Sequence, residues 1–272
     1  MSAARSQPEP SPQPPIFEAL GDGTWRAAPH AAGPFAGVQG GAVAGLMAQA
    51  IEAAAPPGFH PLSFRADFLR PTPLGETLRV AVAPVQAGRR IALFDATIAA
   101  GGRITARCTL TLASEVPVPA LPEDHLTEAA PPAPDLSGSG LAALPRRGAP
   151  APHGGPWLMD ALDIRLAPDG SAWFRWLAPL LPGGHSPLLA ALAPADFAHG
   201  LARPGAPGPS PVPGFPNSDL SVQLDRLPRG DWIGVRPRIR WRRTGLGIGY
   251  GDLCDLDGAF GRVAMGVVLV PG

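Results

Sequence analysis

The chain has 272 residues, and its 22 basic residues, all arginine, balance 22 acidic ones. That length suits one large domain or two small ones with a real core, and zero formal charge argues against a dedicated nucleic-acid or membrane-surface protein. Two cysteines without ligand spacing, Cys108 and Cys254, an N-terminus "MSAARSQPEPSPQPP" with no apolar signal region, and no apolar run of about 18 residues point to a soluble cytoplasmic protein with two buried free thiols.

Residues 1–15, rich in Pro, Ser and Gln, are expected to be disordered. Short strands are predicted at 16–19 and 24–28. In "GPFAGVQGGAVAGLMAQAIEAAAPPG" a helix is predicted over 41–55, apolar nearly all round apart from Gln49 and Glu52, hence buried on most sides. Gly40 and Gly41 at its start permit close backbone approach. Strands follow at 62–69, 77–88, 89–100 and 103–112. The last alternates strictly and puts Ile104, Ala106, Cys108, Leu110 and Leu112 on one face, and "AAGG" joins it to its predecessor as a hairpin.

Residues 116–156 are dense in Pro, Ala and Gly and are read as a linker between halves at 16–115 and 157–272. In the second half, strands are predicted at "LDIRLAP" and "SAWFRWLAP", and a helix over 188–201. A breaker-rich loop spans 203–216. Strands follow at 218–225, 232–242, 245–255 and 260–270. The first of these places Leu220, Val222 and Leu224 on one face and Ser221, Gln223 and Asp225 on the other. A shift of 157 residues aligns Gly88 with Gly245, Ile91 with Ile248, Asp95 with Asp252, Gly101 with Gly258 and Leu112 with Leu269. Since the element order repeats as well, the expected fold class is α+β, a duplicated unit of one buried long helix and an antiparallel sheet.

Several pieces carry a family resemblance: "GVQGGAVAGLMAQA", "FRADFLRPTPLGETLRV" with "GRR", "LAPADFAHG", "NSDLSVQLDRLPRGDW" and "LCDLDGAFGRVAM". Together they resemble the type II, TesB-like acyl-CoA thioesterases over about 16–113 and 157–270. The resemblance implies a double hotdog fold: two tandem hotdog units, each a long helix wrapped by an antiparallel sheet. It also implies an acyl-CoA or related acyl thioester as partner, no cofactor and no metal. The family's site has an Asp, a Gln and a Thr or Ser that orient a water against the thioester carbonyl. Counting back from Arg226, the resemblance puts the Asp at Asp219. The Thr position falls at Arg240, with Thr244 the nearest hydroxyl, and the Gln position at Met265 or Gly266.

Thioester hydrolysis needs a base or water-orienting group and donors for the developing oxyanion. Asp219, with Asn217 beside it, is one candidate base; an Asx turn that starts the strand is its plain structural alternative. Asp196 and His199 share a helix face three residues apart, as a general-base pair or as an ordinary acid near a helix N-terminus that interacts with the dipole. Backbone N–H groups at Gln39, Gly40 and Gly41 could form an oxyanion hole, or the glycines only allow tight packing. Arg89 and Arg90, like Arg242 and Arg243, are candidates to grip coenzyme A phosphates, against the alternative of solvated strand ends. There is no GxSxG elbow, Walker A motif, HExxH or CxxC, and "ADFAHG" lacks the hydratase pattern. Two readings remain: a thioester hydrolase, or a catalytically silent acyl-CoA-binding hotdog whose Thr and Gln positions are filled by other residues. In both, open sheet edges predict a homo-oligomer.

Overall fold

Alternation of apolar and polar residues along its strands builds a single large sheet. The computed structural model describes residues 14–118, 136, 142–143, 155–167, 169–201 and 216–269. Most of the expected disordered N-terminus, most of the linker and most of the 203–216 loop lie outside them. The strands are β1 (Phe17–Gly21), β2 (Thr24–Ala27), β3 (Phe59–Phe68), β4 (Thr77–Ala87), β5 (Ile91–Ala100), β6 (Arg103–Ser114), β7 (Ala142–Ala143), β8 (Leu162–Leu166), β9 (Ala172–Trp176), β10 (Asp219–Leu224), β11 (Ile233–Trp241), β12 (Leu246–Asp255) and β13 (Gly258–Val268). The helices are α1 (Gly40–Ala54), α2 (Pro187–Asp196) and α3 (Ala198–Leu201).

The sheet order is β1-β2-β4-β5-β6-β3-β10-β13-β12-β11-β9-β8-β7. Every pairing among the described strands is antiparallel. The seam is β3 against β10, where Phe64 faces Val222 and Asp67 faces Asp219. Leu220, Val222 and Leu224 are buried as their alternation requires, while Gln223 on the opposite face donates a hydrogen bond from Nε2 to the Ser63 hydroxyl.

The helices cover the apolar face, and α1 is buried from Gly41 to Ala48. Its N-terminus meets the C-terminal end of α2, and its C-terminal end meets the start of α2, where Ser186 Oγ donates to Glu52 Oε2 at 2.6 Å. A Cβ on Gly41 would lie 2.5 Å from Ala193 Cα and 2.6 Å from the Leu192 carbonyl oxygen, so only glycine allows this crossing.

Two expectations are corrected. The helix predicted over 188–201 is broken: α2 ends at Asp196, and α3 follows after Phe197. Pro194 inside α2 has no N–H, which frees the Ala190 carbonyl, and the Trp176 indole N–H takes it at 3.0 Å. The Phe197 N–H then bonds back to Pro194 at 3.1 Å in a tightened turn, and the Phe197 ring stacks on Phe174 at 5.8 Å. The second correction is Ile104, which is 44% exposed although Ala106, Cys108, Leu110 and Leu112 are buried. A register shift between Ile98 and Ala99 on the facing strand breaks the alternation there and turns Thr105 inward. The Thr105 hydroxyl is satisfied by Thr72 at 2.8 Å and by the Ile98 carbonyl at 3.3 Å. The two cysteines are free and buried, and burial pushes the Cys108 thiol up to about 12 and the Cys254 thiol up to about 11.

Candidate active site

The close crossing at Gly41 brings a carboxylate from one helix to the N-terminus of another. Asp196 is the last residue of α2 and is only 4% exposed. Its Oδ2 accepts from Gln39 Nε2 at 2.6 Å and from the Gly41 N–H at 3.0 Å. Its Oδ1 accepts from Asn217 Nδ2 at 2.7 Å. Among the described residues, no arginine lies within ion-pair distance of Asp196. Burial pushes its carboxyl up to about 6, against the opposing pull of Asn217, Gly41 and Gln39.

Each neighbour is positioned by its own local structure. Gln39 is the N-cap of α1, in extended conformation, and its Oε1 accepts from the Ala42 N–H at 2.8 Å. That bond fixes the amide orientation, so Nε2 must face Asp196. Asn217 precedes β10 and is held by a second bond from Nδ2 to the Asp219 carbonyl at 3.0 Å, and by a bridge to Val267. The first turn of α1 has four N–H groups without helical partners to give. Gln39 gives its own to the Ala31 carbonyl at 2.9 Å, Gly41 to Asp196 and Ala42 to the Gln39 side chain, while Val43 makes the first helical bond, to the Gln39 carbonyl. The Gly40 N–H alone has no acceptor among the described residues.

Gly40, Gln39, Asp196, His199 and Asn217 line one cavity of about 120 Å³, walled on its apolar side by Phe35, Val38 and Phe197. His199, on α3, packs against Gly249, where a Cβ would come within 2.8 Å of the histidine Cβ. The cavity thus combines a buried carboxyl poised near neutrality, two amides that orient it and one open backbone donor. That set can abstract a proton and stabilise an oxyanion.

The structure brings together Asp196, His199, Asn217, Gln39, Gly40 and Gly41, and leaves the other candidates elsewhere. Asp219 opens β10 outside the cavity, and its Oδ1 accepts from the Gly266 N–H at 2.9 Å and from the Ser218 hydroxyl at 3.0 Å. Gly266 is therefore its backbone partner. Met265 is buried in the core near Gly249. Arg240 is near the end of β11, with Thr244 exposed in the turn that follows. Arg89 and Arg90 lie in the β4–β5 turn, where their carbonyls accept from Ser114. The helix N-terminus next to Asp196 is that of α1, because Asp196 itself sits at the C-terminal end of α2. The wall residues Phe35, Val38 and Phe197 were missed. They are ordinary apolar positions in sequence, and only the packing of α1 on α2 gathers them.

Two family models match the sequence. The acyl-CoA thioesterase N-terminal domain matches residues 28–113, and the acyl-CoA thioesterase C-terminal domain matches residues 122–264. No curated protein matches the chain. Among solved structures, the acyl-CoA thioesterase II TesB2 from Mycobacterium marinum aligns with a TM-score of 0.67 at 17% identity, over 94% of this chain and 96% of that one. A protein with a hot dog fold from Alicyclobacillus acidocaldarius aligns with a TM-score of 0.65 at 15% identity, again over 94% and 96%. The tesB protein of Mycobacterium avium subs paratuberculosis gives 0.63 at 15% identity over the same shares. These likenesses show the fold to be of the hotdog type, a large antiparallel sheet with few helices.

Proposed function

The chain belongs to the acyl-CoA thioesterase family, and from that premise we propose that it hydrolyses an acyl-CoA thioester to the free acid and coenzyme A, with Asp196 as base. The observation that carries this reading is the buried Asp196 carboxylate, held by three donors in the cavity that Gly40 also lines. In the step proposed, Asp196 takes a proton from water, and the hydroxide forms a bond to the thioester carbonyl carbon. The carbonyl electron pair moves to oxygen and meets the Gly40 N–H. Collapse of this intermediate breaks the C–S bond, and the thiolate recovers the proton from Asp196. Gln39 and Asn217 hold the carboxylate in place. They supply the amide groups that Met265 and Gly266 cannot, which favours the hydrolase over the silent binder.

The proposed architecture is two tandem hotdog units, at about 16–115 and 157–272, joined by a linker over 116–156. It is supported by the strand order, which reads 1-2-4-5-6-3 on one side of the seam and, outside to inside, 8-9-11-12-13-10 on the other with the two-residue β7 beyond β8. A homo-oligomer is proposed from the apolar residues exposed on the sheet, Leu62, Ile91, Ile104 and Ile248 among them. Static light scattering showing a strict monomer at micromolar concentration counts against it. No helix among the described residues is long and apolar enough to cross a membrane, and the two buried free thiols suit a reducing cytoplasm.

The central test is thiol release across acyl-CoA chain lengths, with ligand-induced melting shifts alongside. Release by the wild type that is abolished in Asp196→Asn supports the enzyme. A melting shift without release supports the silent binder.

A further inference from the structure

The cavity beside Asp196 is closed on its inner sides by direct packing. One residue from Gly40, the crossing at Gly41 leaves only 2.5 Å between a Cβ there and Ala193 Cα, so no chain passes between α1 and α2 at that point. A Cβ on Gly249 would lie 2.8 Å from His199 Cβ and 3.3 Å from Met265 Cγ, so α3 rests directly on β12. The Phe197 ring is stacked at 5.8 Å on Phe174, which has no exposed surface. Between α1 and the sheet the space is filled. Ala42, Val43, Leu46 and Met47 are at most 2% exposed and share one continuous core with Leu192 and Leu220.

The remaining wall is a short loop held by its own bonds. The Gly33 N–H donates to the Gly37 carbonyl at 2.9 Å, and the Val38 N–H donates to the Thr72 carbonyl at 2.8 Å. Gly37 has a φ of 97°, and a Cβ there would collide with the Thr72 carbonyl oxygen, so this turn needs glycine. Two side chains of this segment line the cavity: Phe35, 37% exposed, at the rim, and Val38, which is buried. The enclosed volume of about 120 Å³ holds about four water-sized groups at about 30 Å³ each, and a methylene is of that size.

We propose that this site takes a compact apolar acyl group, from two to about four carbons long, and turns away medium and long chains. The proposal rests on the thioesterase reading, which puts the reacting carbonyl between Asp196 and the Gly40 N–H and so leaves room for about two or three further carbons. Each of those carbons gains apolar burial against Phe35, Val38 and Phe197, about three- to fourfold in affinity per methylene. A longer chain has two courses. It forces apart backbone already in contact at Gly41, or its end stays in water and gains nothing. Close glycine contacts alone are ordinary core construction. Here the same contacts bound the cavity that holds a buried carboxyl, so they set the size of what reacts there.

The test titrates S-alkyl coenzyme A thioethers, which cannot be hydrolysed, into the full-length wild type by calorimetry, with chains from two to twelve carbons. Thiol release is measured with the matching acyl-CoA series. Affinity is expected to rise about three- to fourfold per methylene up to about four carbons and then to level. The value of kcat/KM peaks in the same range and falls at least about tenfold by eight carbons. Phe35→Ala and Val38→Ala enlarge the cavity and are each expected to raise the octanoyl-to-butanoyl ratio of kcat/KM by about tenfold. Val85→Ala, which removes an exposed apolar side chain on β4, leaves that ratio unchanged. A ratio measured on folded enzyme does not move with stability alone. Affinity that still climbs through eight and twelve carbons, or is independent of chain length, overturns the proposal. So does a kcat/KM that is highest with dodecanoyl-CoA, or a failure of every thioether to bind. If no acyl-CoA releases thiol, the hydrolase reading fails, and the thioether series still decides the acyl length.

Discussion

Asp196 pays for its chemistry in stability. Its carboxyl sits at about 6 in the fold, above the usual value of about 3.9 in an unfolded chain. Between those two values the folded state binds the extra proton, so stability falls as pH rises through that window. At pH 7 the ionised group then costs on the order of 3 kcal/mol. Asp196→Asn should therefore abolish thiol release without lowering the melting temperature at pH 7 to 8, since it removes the buried charge. A clear drop in melting temperature would show the carboxylate to be a net stabiliser. The rate of the wild type should rise with pH through about 6 and then level, because the base must be ionised; a flat pH–rate profile from 5 to 8 would remove Asp196 from the role. Asp219 predicts the opposite pattern. It accepts from the Gly266 N–H and the Ser218 hydroxyl, so Asp219→Ala should cost about 0.5–2 kcal/mol, as loss of comparable side-chain-to-backbone caps does, while turnover per folded molecule persists.

At the scale of elements, two glycines of α1 separate rigid from adaptable contacts. A Cβ at Gly41 would strike backbone atoms of Leu192 and Ala193, and backbone cannot swing aside. Gly41→Ala should lower stability by about 1–3 kcal/mol and move Gln39 away from Asp196, so activity falls with it. A Cβ at Gly45 would meet Leu180 Cδ2 at 2.6 Å, the far end of a side chain that can rotate. Gly45→Ala should be close to neutral, because the gain in helix propensity, up to about 1 kcal/mol, offsets the repacking. Denaturant titration of both variants checks the contrast. The connection from β10 to β11 is held differently. Asp255, with its side chain fully buried, accepts from Arg226 at 2.6 and 2.9 Å, from the Arg229 N–H at 2.7 Å and from the Asp257 N–H at 2.9 Å. Burial alone would raise its carboxyl; Arg226 and the two N–H groups outweigh burial and hold it below the usual value. Its contribution is present above the unfolded value and is lost as pH falls through the folded one. Arg226→Ala leaves that carboxylate buried without its cation and should cost about 3–5 kcal/mol by thermal or denaturant unfolding.

For the whole molecule, the seam and the helix crossing make the site depend on both halves. Gln39, Gly40 and Gly41 come from one side of the β3–β10 seam, and Asp196 and Asn217 from the other. Fragments covering 14–118 and 155–272, made separately, should each fail to release thiol, and each should expose the β3 or β10 edge that the other covers. Activity in either fragment alone would contradict a site built across the seam. The opposite end of the helix pair shows why one site is expected rather than two. There Ser186 caps α2 and its hydroxyl holds Glu52, but Pro187 in the first position has no N–H to offer an oxyanion.

Periodicity was enough to place β3 to β6 and β10 to β13 within a few residues, because a half-buried strand writes its facing into every second side chain. The same holds for α1, where small apolar residues announce burial on all sides. Family membership was legible too, in pieces such as "FRADFLRPTPLGETLRV" and "LAPADFAHG". Local deviations were not: the bulge that exposes Ile104 comes from pairing across strands, and the break at Phe197 from a tightened turn back to Pro194 with the ring stacked on Phe174. The arrangement around Asp196 was equally hidden. Its donors lie 157, 155 and 21 residues away in sequence, at spacings that no helix or strand period relates. Counting from Arg226 led to Asp219, an acid in a suitable turn, because a sequence orders residues along one line. Which carboxylate loses its water and meets a helix N-terminus is decided only when α1 and α2 cross at Gly41, since desolvation and hydrogen-bond geometry are properties of the packed molecule.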